Sequence, residues 1–159
     1  MEIAMFVVHP FAPVYDRSSR ILILGSLPSV RSRDAGFYYG HPQNRFWKVT
    51  AAVMACAVPQ SVEEKKQFLL ENGIALWDVI ASCDVNHSSD SSIRNAVPND
   101  LDIIFSHADI RAVFTNGKTA DRLYRRFFDE NVVCLPSTSP ANAAWTLEEL
   151  VTAWQCIRI

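Results

Sequence analysis

A chain of 159 residues has the length of one compact domain, and its 49% hydrophobic content supplies a core and leaves no tract that reads as disordered. No apolar run approaches the roughly 20 residues of a membrane span, and the apolar start MEIAMFVVHPF lacks a basic leader and a cleavage site, so a cytoplasmic protein with no membrane partner is expected. The net charge of −2 argues weakly against a nucleic-acid partner, but the distribution of charge matters more than its sum. Arg17, Arg20, Arg31, Arg33, Arg45 and Lys48 face a single acid, Asp34, in the same stretch. Such a cluster is either a solvated face or a contact for phosphates. Cys56, Cys83, Cys134 and Cys156 are widely spaced with no CxxC pair, so neither a disulfide framework nor a metal site is expected. Cys56, Cys134 and Cys156 sit among apolar neighbours and read as buried thiols.

Along the chain, RILILG at 20–25 is a short apolar run ending in glycine, the pattern of a strand buried on both faces. The polar loop SLPSVRSRDAGFYYGHPQ follows. NRFWKVTAAVMACAV then has helical length and an apolar stripe through Phe46, Trp47, Ala51, Val53 and Met54. Ser61 opens SVEE, a capping box, and its helix ends near Asn72-Gly73. GIALWDVI reads as a second strand and SCDVNHSSDSSIRNAVPND as a loop, with a short helix from Pro98-Asn99-Asp100 to Ser106. RAVFTNG is a third strand and turn, KTADRLYRRFF a helix carrying Arg122, Arg125 and Arg126, and NVVCLP a fourth strand. The loop STSPANAA leads to a terminal helix opened by Thr146-Leu147-Glu148-Glu149. Strands alternating with helices predict an α/β protein, a three-layer α/β/α sandwich with a central, mostly parallel sheet of about four strands, in one domain over 1–159.

Ligands of such sheets bind at the carboxyl ends of the strands. The loop after the first strand carries GSLPS and HPQNRFW, and the loop after the fourth carries LPSTSPAN. This layout resembles the uracil-DNA glycosylase superfamily over nearly the whole chain. HPQNRFW is similar to the mismatch-specific uracil/thymine branch, whereas GSLPS and STSPAN look more like the hypoxanthine-DNA (deoxyinosine) glycosylase branch. The resemblance implies a base-excision repair enzyme that flips a deaminated base, hypoxanthine above all, out of DNA and hydrolyses its bond to deoxyribose with no cofactor. It also implies a DNA partner for a protein expected to be a monomer.

One departure matters. Where the mismatch-specific branch reads GxNPG, with an asparagine that positions water, this chain has Leu27, which can neither orient nor polarise water. The GQDPY version is absent too. The deoxyinosine branch shares this loss.

Breaking a deoxyribose–base bond passes through an oxocarbenium-like state, as in glycoside hydrolysis. Asn44 is the candidate catalytic residue, expected to position the attacking water, since its amide offers a donor and an acceptor; its other reading is a cap for the helix beginning at Arg45. Gly25, Ser26 and Leu27 line the expected base pocket, with backbone amides as donors. By resemblance Tyr39 stacks on the flipped base; otherwise it plugs the core with Phe37 and Tyr38. His41 and His87 each suit a general acid by the chemistry of the imidazole ring, or are structural. Ser137, Thr138, Ser139, Pro140 and Asn142 resemble the segment that presses on the DNA backbone, and Ser29, Arg31 and Ser32 are expected to join them; each serine is otherwise a turn residue. A mismatch-specific uracil/thymine glycosylase and a catalytically inactive nucleic-acid-binding relative remain as alternatives. A flavodoxin-like nucleotide domain is disfavoured, because the chain has neither a dinucleotide fingerprint nor a GxxxxGK[ST] loop. Lys48 lies a turn into a helix, which favours hydrolysis over a lyase.

Overall fold

The structure, a computed structural model, describes residues 5–28, 30–85 and 93–159. Ser29 and His87 lie outside the described residues, as does the side chain of Arg31. Strand β2 (Ile21–Gly25) is buried at every position, and Leu22, Ile23 and Leu24 are fully so. Each such side chain contributes about 1.5–3 kcal/mol of transfer free energy. The strand lies inside a four-stranded parallel sheet with β3 (Ile74–Asp78), β6 (Ala112–Asn116) and β7 (Val133–Leu135), in the order β3-β2-β6-β7. Gly25 pairs with Asp78, Leu24 with Thr115, and Asn116 with Leu135, so four carboxyl ends share one edge.

Helices flank this sheet as a three-layer sandwich. They are α1 (Val30–Ala35), α2 (Phe46–Val53), α3 (Val62–Glu71), α4 (Asp102–Phe105), α5 (Lys118–Phe127) and α6 (Leu147–Trp154). Their ends follow local chemistry. The Ser61 hydroxyl accepts from the Glu64 N–H at 3.0 Å, and Gly73, at φ +70°, ends the helix in the left-handed region. Helix α2 packs against α6, where Phe46 meets the buried Trp154 edge to face with centroids 5.9 Å apart. None of the described helices is long and apolar enough to cross a membrane.

A second sheet corrects the sequence reading. Strands β1 (Met5–Val8), β4 (Ile80–Val85) and β5 (Arg94–Pro98) form an antiparallel sheet, in the order β1-β4-β5. GIALWDVI is therefore two strands joined across Val79, and part of the expected loop at 82–100 is strand. Ser82 and Asp84 lie on the half-exposed side of β4, two register shifts break its pairing with β5, and β5 exposes Arg94, Asn95 and Val97. Such a segment has the composition of a loop. The buried-thiol expectation also fails for Cys56, Cys134 and Cys156, which are exposed; only Cys83 is buried. Cys56 lies past the end of α2, Cys134 on the short edge strand β7, and Cys156 in the last, 3₁₀ turn.

Candidate active site

The loops carrying the two motifs meet at the carboxyl edge of the parallel sheet. Arg45 ties them together. Its backbone N–H donates to the Thr138 carbonyl at 3.1 Å, and its guanidinium donates to the carbonyls of Ser139 (3.2 Å), Asn142 (3.0 Å) and Trp145. Arg45 was expected in a basic cluster; it is instead a clamp, its fork of donors spent on one loop. Trp154 secures the other end of that loop by donating to the Pro136 carbonyl at 3.0 Å. A cavity of about 550 Å³ lies beside the second loop, lined among others by Asn116 and Lys118 from the end of β6 and the start of α5 and by Ser137, Asn142 and Trp145; of the residues expected to form the base pocket, Ser26 alone is in its wall.

Asn44 sits at the junction. Its Oδ1 accepts from the Phe46 N–H at 2.9 Å and from the Thr138 hydroxyl at 2.9 Å. The first bond satisfies an otherwise orphaned amide of α2, so the capping role exists, although the helix begins at Phe46, one residue later than expected. The second bond joins the motifs directly. Thr138 is in turn held by Asn116, whose Nδ2 donates to its hydroxyl at 2.9 Å and whose Oδ1 accepts from its N–H at 3.0 Å.

Beside this junction the three aromatic residues separate. Phe37 and Tyr38 are buried in the core, while Tyr39 is half-buried with its backbone in the left-handed region at φ +52°. One face of the Tyr39 ring stacks on Phe46, with centroids 4.2 Å apart and planes at 20°. Its hydroxyl is buried without a hydrogen bond, the Asn116 amide alongside falling short of bonding geometry. Burial, and then the charge of Asp78, push the phenol far above its ordinary range and keep it protonated.

Tyr39 and Asp78 converge over Gly25. A Cβ there would lie 2.4 Å from Asp78 Oδ1 and 2.9 Å from Tyr39 Oη, which explains the glycine at the end of β2. The other Asp78 oxygen is 2.7 Å from His9 Nε2, and both side chains are 4% exposed. His9 Nδ1 accepts from the Phe11 N–H at 3.2 Å, so the imidazole proton is on Nε2 and is donated to the carboxylate. The sequence reading missed His9, Asp78 and Asn116. The available signal was a lone acid ending an apolar strand in LWD and a polar amide ending another in FTN.

The remaining expected residues divide. Gly25 is buried, and Ser26 and Leu27 are half-buried at the strand end, with the Ser26 carbonyl accepting from Ile80 at 3.2 Å. His41 is half-buried, its Nδ1 accepting from the Gln43 N–H at 3.0 Å. Ser32 and Thr138, expected to reach phosphates, are instead buried. The Ser32 hydroxyl accepts from the Gly40 N–H at 3.0 Å and fixes the turn after Tyr39. Their hydroxyls are thereby committed to backbone and side-chain groups of the protein itself. The Ser137 and Ser139 hydroxyls accept from the Ser139 and Ala141 amides at 3.1 Å each, and Asn142 Nδ2 donates to the Ser137 carbonyl at 3.0 Å. With the half-buried Pro140 between them, these residues shape the loop. Arg125 pairs with Asp121 at 2.9 Å along its own helix. Among the described residues no cluster of His, Cys, Asp or Glu forms a metal site.

Known proteins share this arrangement. Residues 12–158 match the Uracil DNA glycosylase superfamily. A hypoxanthine DNA glycosylase of Methanosarcina acetivorans is 34% identical over 152 residues, spanning 92% of this chain and 95% of the relative. One of Methanosarcina barkeri is 35% identical over 111 residues, spanning 68% and 70%. A solution NMR structure of a Methanosarcina acetivorans protein, described there as a candidate uracil DNA glycosylase, superposes with a TM-score of 0.79 at 30% identity over 98% of this chain and 100% of that one. With the family matched across nearly its whole length, the chain belongs to the uracil DNA glycosylase superfamily.

Proposed function

We propose that the protein is a monofunctional DNA glycosylase that hydrolyses the N-glycosidic bond of a flipped deaminated base, hypoxanthine in deoxyinosine. The carrying observation is the junction of the two motif loops through Asn44, Thr138 and Arg45, at the strand ends where Leu27 replaces the water-positioning asparagine of the uracil branch. The names of the two Methanosarcina relatives favour the same substrate.

A deaminated base pairs weakly, so extruding it from the duplex takes less energy than extruding a normal base. Tyr39, stacked on Phe46, is assigned by the motif resemblance to stack on the base, a contact worth about 1–3 kcal/mol and tolerant of a purine. Ser26 lines the cavity, and Gly25, Leu27, Asn44 and His41 are assigned to the base pocket with it because they stand on the same motif segment. Ser137, Ser139, Pro140 and Asn142 are assigned to the side toward the DNA backbone, and Ser29 and Arg31 join them on the sequence motif alone. The protein acts as a single domain, as a cytoplasmic monomer.

Duplex oligonucleotides carrying hypoxanthine, uracil or xanthine, each treated with alkali after incubation, test the proposal. Strand cleavage at hypoxanthine that depends on alkali is expected. Cleavage without alkali would make the enzyme a lyase and direct attention to Lys118 in the cavity wall. Preferential release of uracil would place it in the mismatch-specific branch, and release of no base would make it a binding relative.

A further inference from the structure

The hydrogen bonds around Asn44 have only one consistent direction. A backbone N–H can only donate, so the bond from Phe46 N identifies the accepting side-chain atom of Asn44 as Oδ1. The bond from Thr138 N likewise identifies Asn116 Oδ1, which leaves Asn116 Nδ2 to donate to the Thr138 hydroxyl. That hydroxyl has one proton, and having accepted from Asn116 it gives the proton to Asn44 Oδ1. Both lone-pair directions of Asn44 Oδ1 are then taken. Among the described residues its Nδ2 has no hydrogen bond, and in this half-buried side chain it is not a fully buried atom, so it keeps access to solvent where the loops meet.

We infer that Asn44 acts on the substrate only as a hydrogen-bond donor, through Nδ2, and that Thr138 and Asn116 are the positioning residues that make it so. The inference rests on the glycosylase function proposed above and assigns the chemistry of its main residue. An amide committed in this way cannot orient a water by accepting its proton. It can stabilise the departing base. As the C1′–N9 bond breaks, its electron pair leaves with the purine, water adds at C1′, and the proton released from that water ends on the base. A donor aimed at N3, N7 or O6 strengthens as negative charge gathers there. The group that would orient water is absent at Leu27, and Asn44 does not replace it. Catalysis therefore shifts from the nucleophile to the leaving group. Purine acceptors such as N7 and N3 exist on normal purines as well, so Asn44 contributes rate, and discrimination rests on which base is flipped.

Single-turnover release of hypoxanthine from a duplex oligonucleotide tests this, together with the Kd of the same duplex carrying non-cleavable 2′-fluoro-deoxyinosine. Asn44→Asp preserves both accepted bonds but presents no donor near neutral pH. It should be as slow as Asn44→Ala to within about threefold, and should regain rate as pH falls and the carboxyl gains a proton to donate, whereas Asn44→Ala should not. Thr138→Val should slow release about tenfold or more with Kd little changed, and Thr138→Ser should recover most of the rate. Asn44→Asp working at the parental rate near neutral pH would show an accepting role and overturn the inference. So would Thr138→Val releasing hypoxanthine at the parental rate. A wild-type protein that releases uracil but no hypoxanthine defeats the substrate assignment alone, and the same variant ratios, measured on uracil, then judge the inference. A wild-type protein releasing no base defeats both.

Discussion

The two sheets meet solvent very differently. In the parallel sheet β2 and β3 are buried at all positions, and their ends, with those of β6 and β7, deliver Gly25, Asp78, Asn116 and Leu135 to one edge. The antiparallel sheet has Phe6, Val8 and Val97 all more than half exposed. Its strands nevertheless touch the site at one point. Strand β1 runs into His9, whose ring meets Asp78, and the chain passes from β3 to β4 across Val79 immediately after that aspartate. The parallel sheet thus carries the polar groups of the candidate site, while the smaller sheet props a single carboxylate beside them. Breaking each contribution separately should give different signatures, one in rate and the other in stability.

The largest effect is expected on the parallel side. Asn44→Ala should lower hypoxanthine release roughly ten- to a thousandfold, or about 1.4–4 kcal/mol of barrier. The same change also removes the bond to the Phe46 amide, for which a loss of about 1 kcal/mol of stability is expected. Melting temperature and single-turnover rate measured on one preparation separate the two. A folded variant working at the parental rate would leave Asn44 a cap and nothing more.

On the other side, His9→Ala should act chiefly on stability. It leaves the Asp78 carboxylate buried without the partner that now lies 2.7 Å away, at a cost of about 3 kcal/mol. The loss should shrink when Asp78→Asn is made in the same chain, because the uncompensated charge is then gone. Urea unfolding of the two single variants and the double variant measures this coupling. Additive losses would mean that the pair is not a unit and that the smaller sheet contributes packing alone.

The contrast also decides what could be read in advance. RILILG and the strands after it were legible because a strand buried on both faces is an unbroken apolar run, and GSLPS, HPQNRFW and STSPAN were legible because Ser, Pro and Asn crowd into short loops at the ends of such runs. The smaller sheet was not, since polar and exposed residues stand in its short strands and register shifts between β4 and β5 break the period of two. Asn44 and Tyr39 were singled out by motif, and both lie against Phe46. The roles of Ser32, Thr138 and Arg45 were misjudged, because a hydroxyl or guanidinium looks the same in sequence whether it serves a phosphate or a carbonyl of its own chain. His9 and Asp78 are 69 residues apart, and only the register of two different sheets brings them together.

Gly25 is where the sheets' contributions press on each other. Gly25→Ala places a methyl 2.4 Å from Asp78 Oδ1 and 2.9 Å from Tyr39 Oη. Neither neighbour is a freely moving surface group, so the overpacking should cost about 1–3 kcal/mol. It should also slow base release by displacing the Tyr39 ring. Full stability with full rate, by thermal melt and single-turnover assay, would show that this corner is looser than the distances imply.

The smallest effect lies farthest from the contrast, at the start of α6, and it tests whether anchoring the second loop matters to the site at all. The Thr146 hydroxyl accepts from the Glu149 N–H at 3.1 Å, and the Glu149 carboxylate accepts from the Thr146 N–H at 3.1 Å, a reciprocal capping box. These bonds hold the Glu149 carboxyl below its ordinary range, the backbone N–H being the larger cause and the Thr146 side chain the smaller. A carboxyl whose folded pKa is depressed contributes stability that is present above its unfolded value and is lost as pH falls through the folded one. Thr146→Ala removes the hydroxyl cap and should lower stability by about 1 kcal/mol near neutral pH; the backbone N–H that is the larger cause of the Glu149 shift remains, so the difference from wild type should narrow only slightly in acid. Trp154 and Arg45 still grip the loop from either end in this variant, so base release should stay close to parental. Melting curves at neutral and acidic pH, paired with one rate measurement, check both parts. A large fall in rate would mean that the cap reaches the site through the loop, and that the chemistry depends on the helix after the parallel sheet as well as on the strand ends before it.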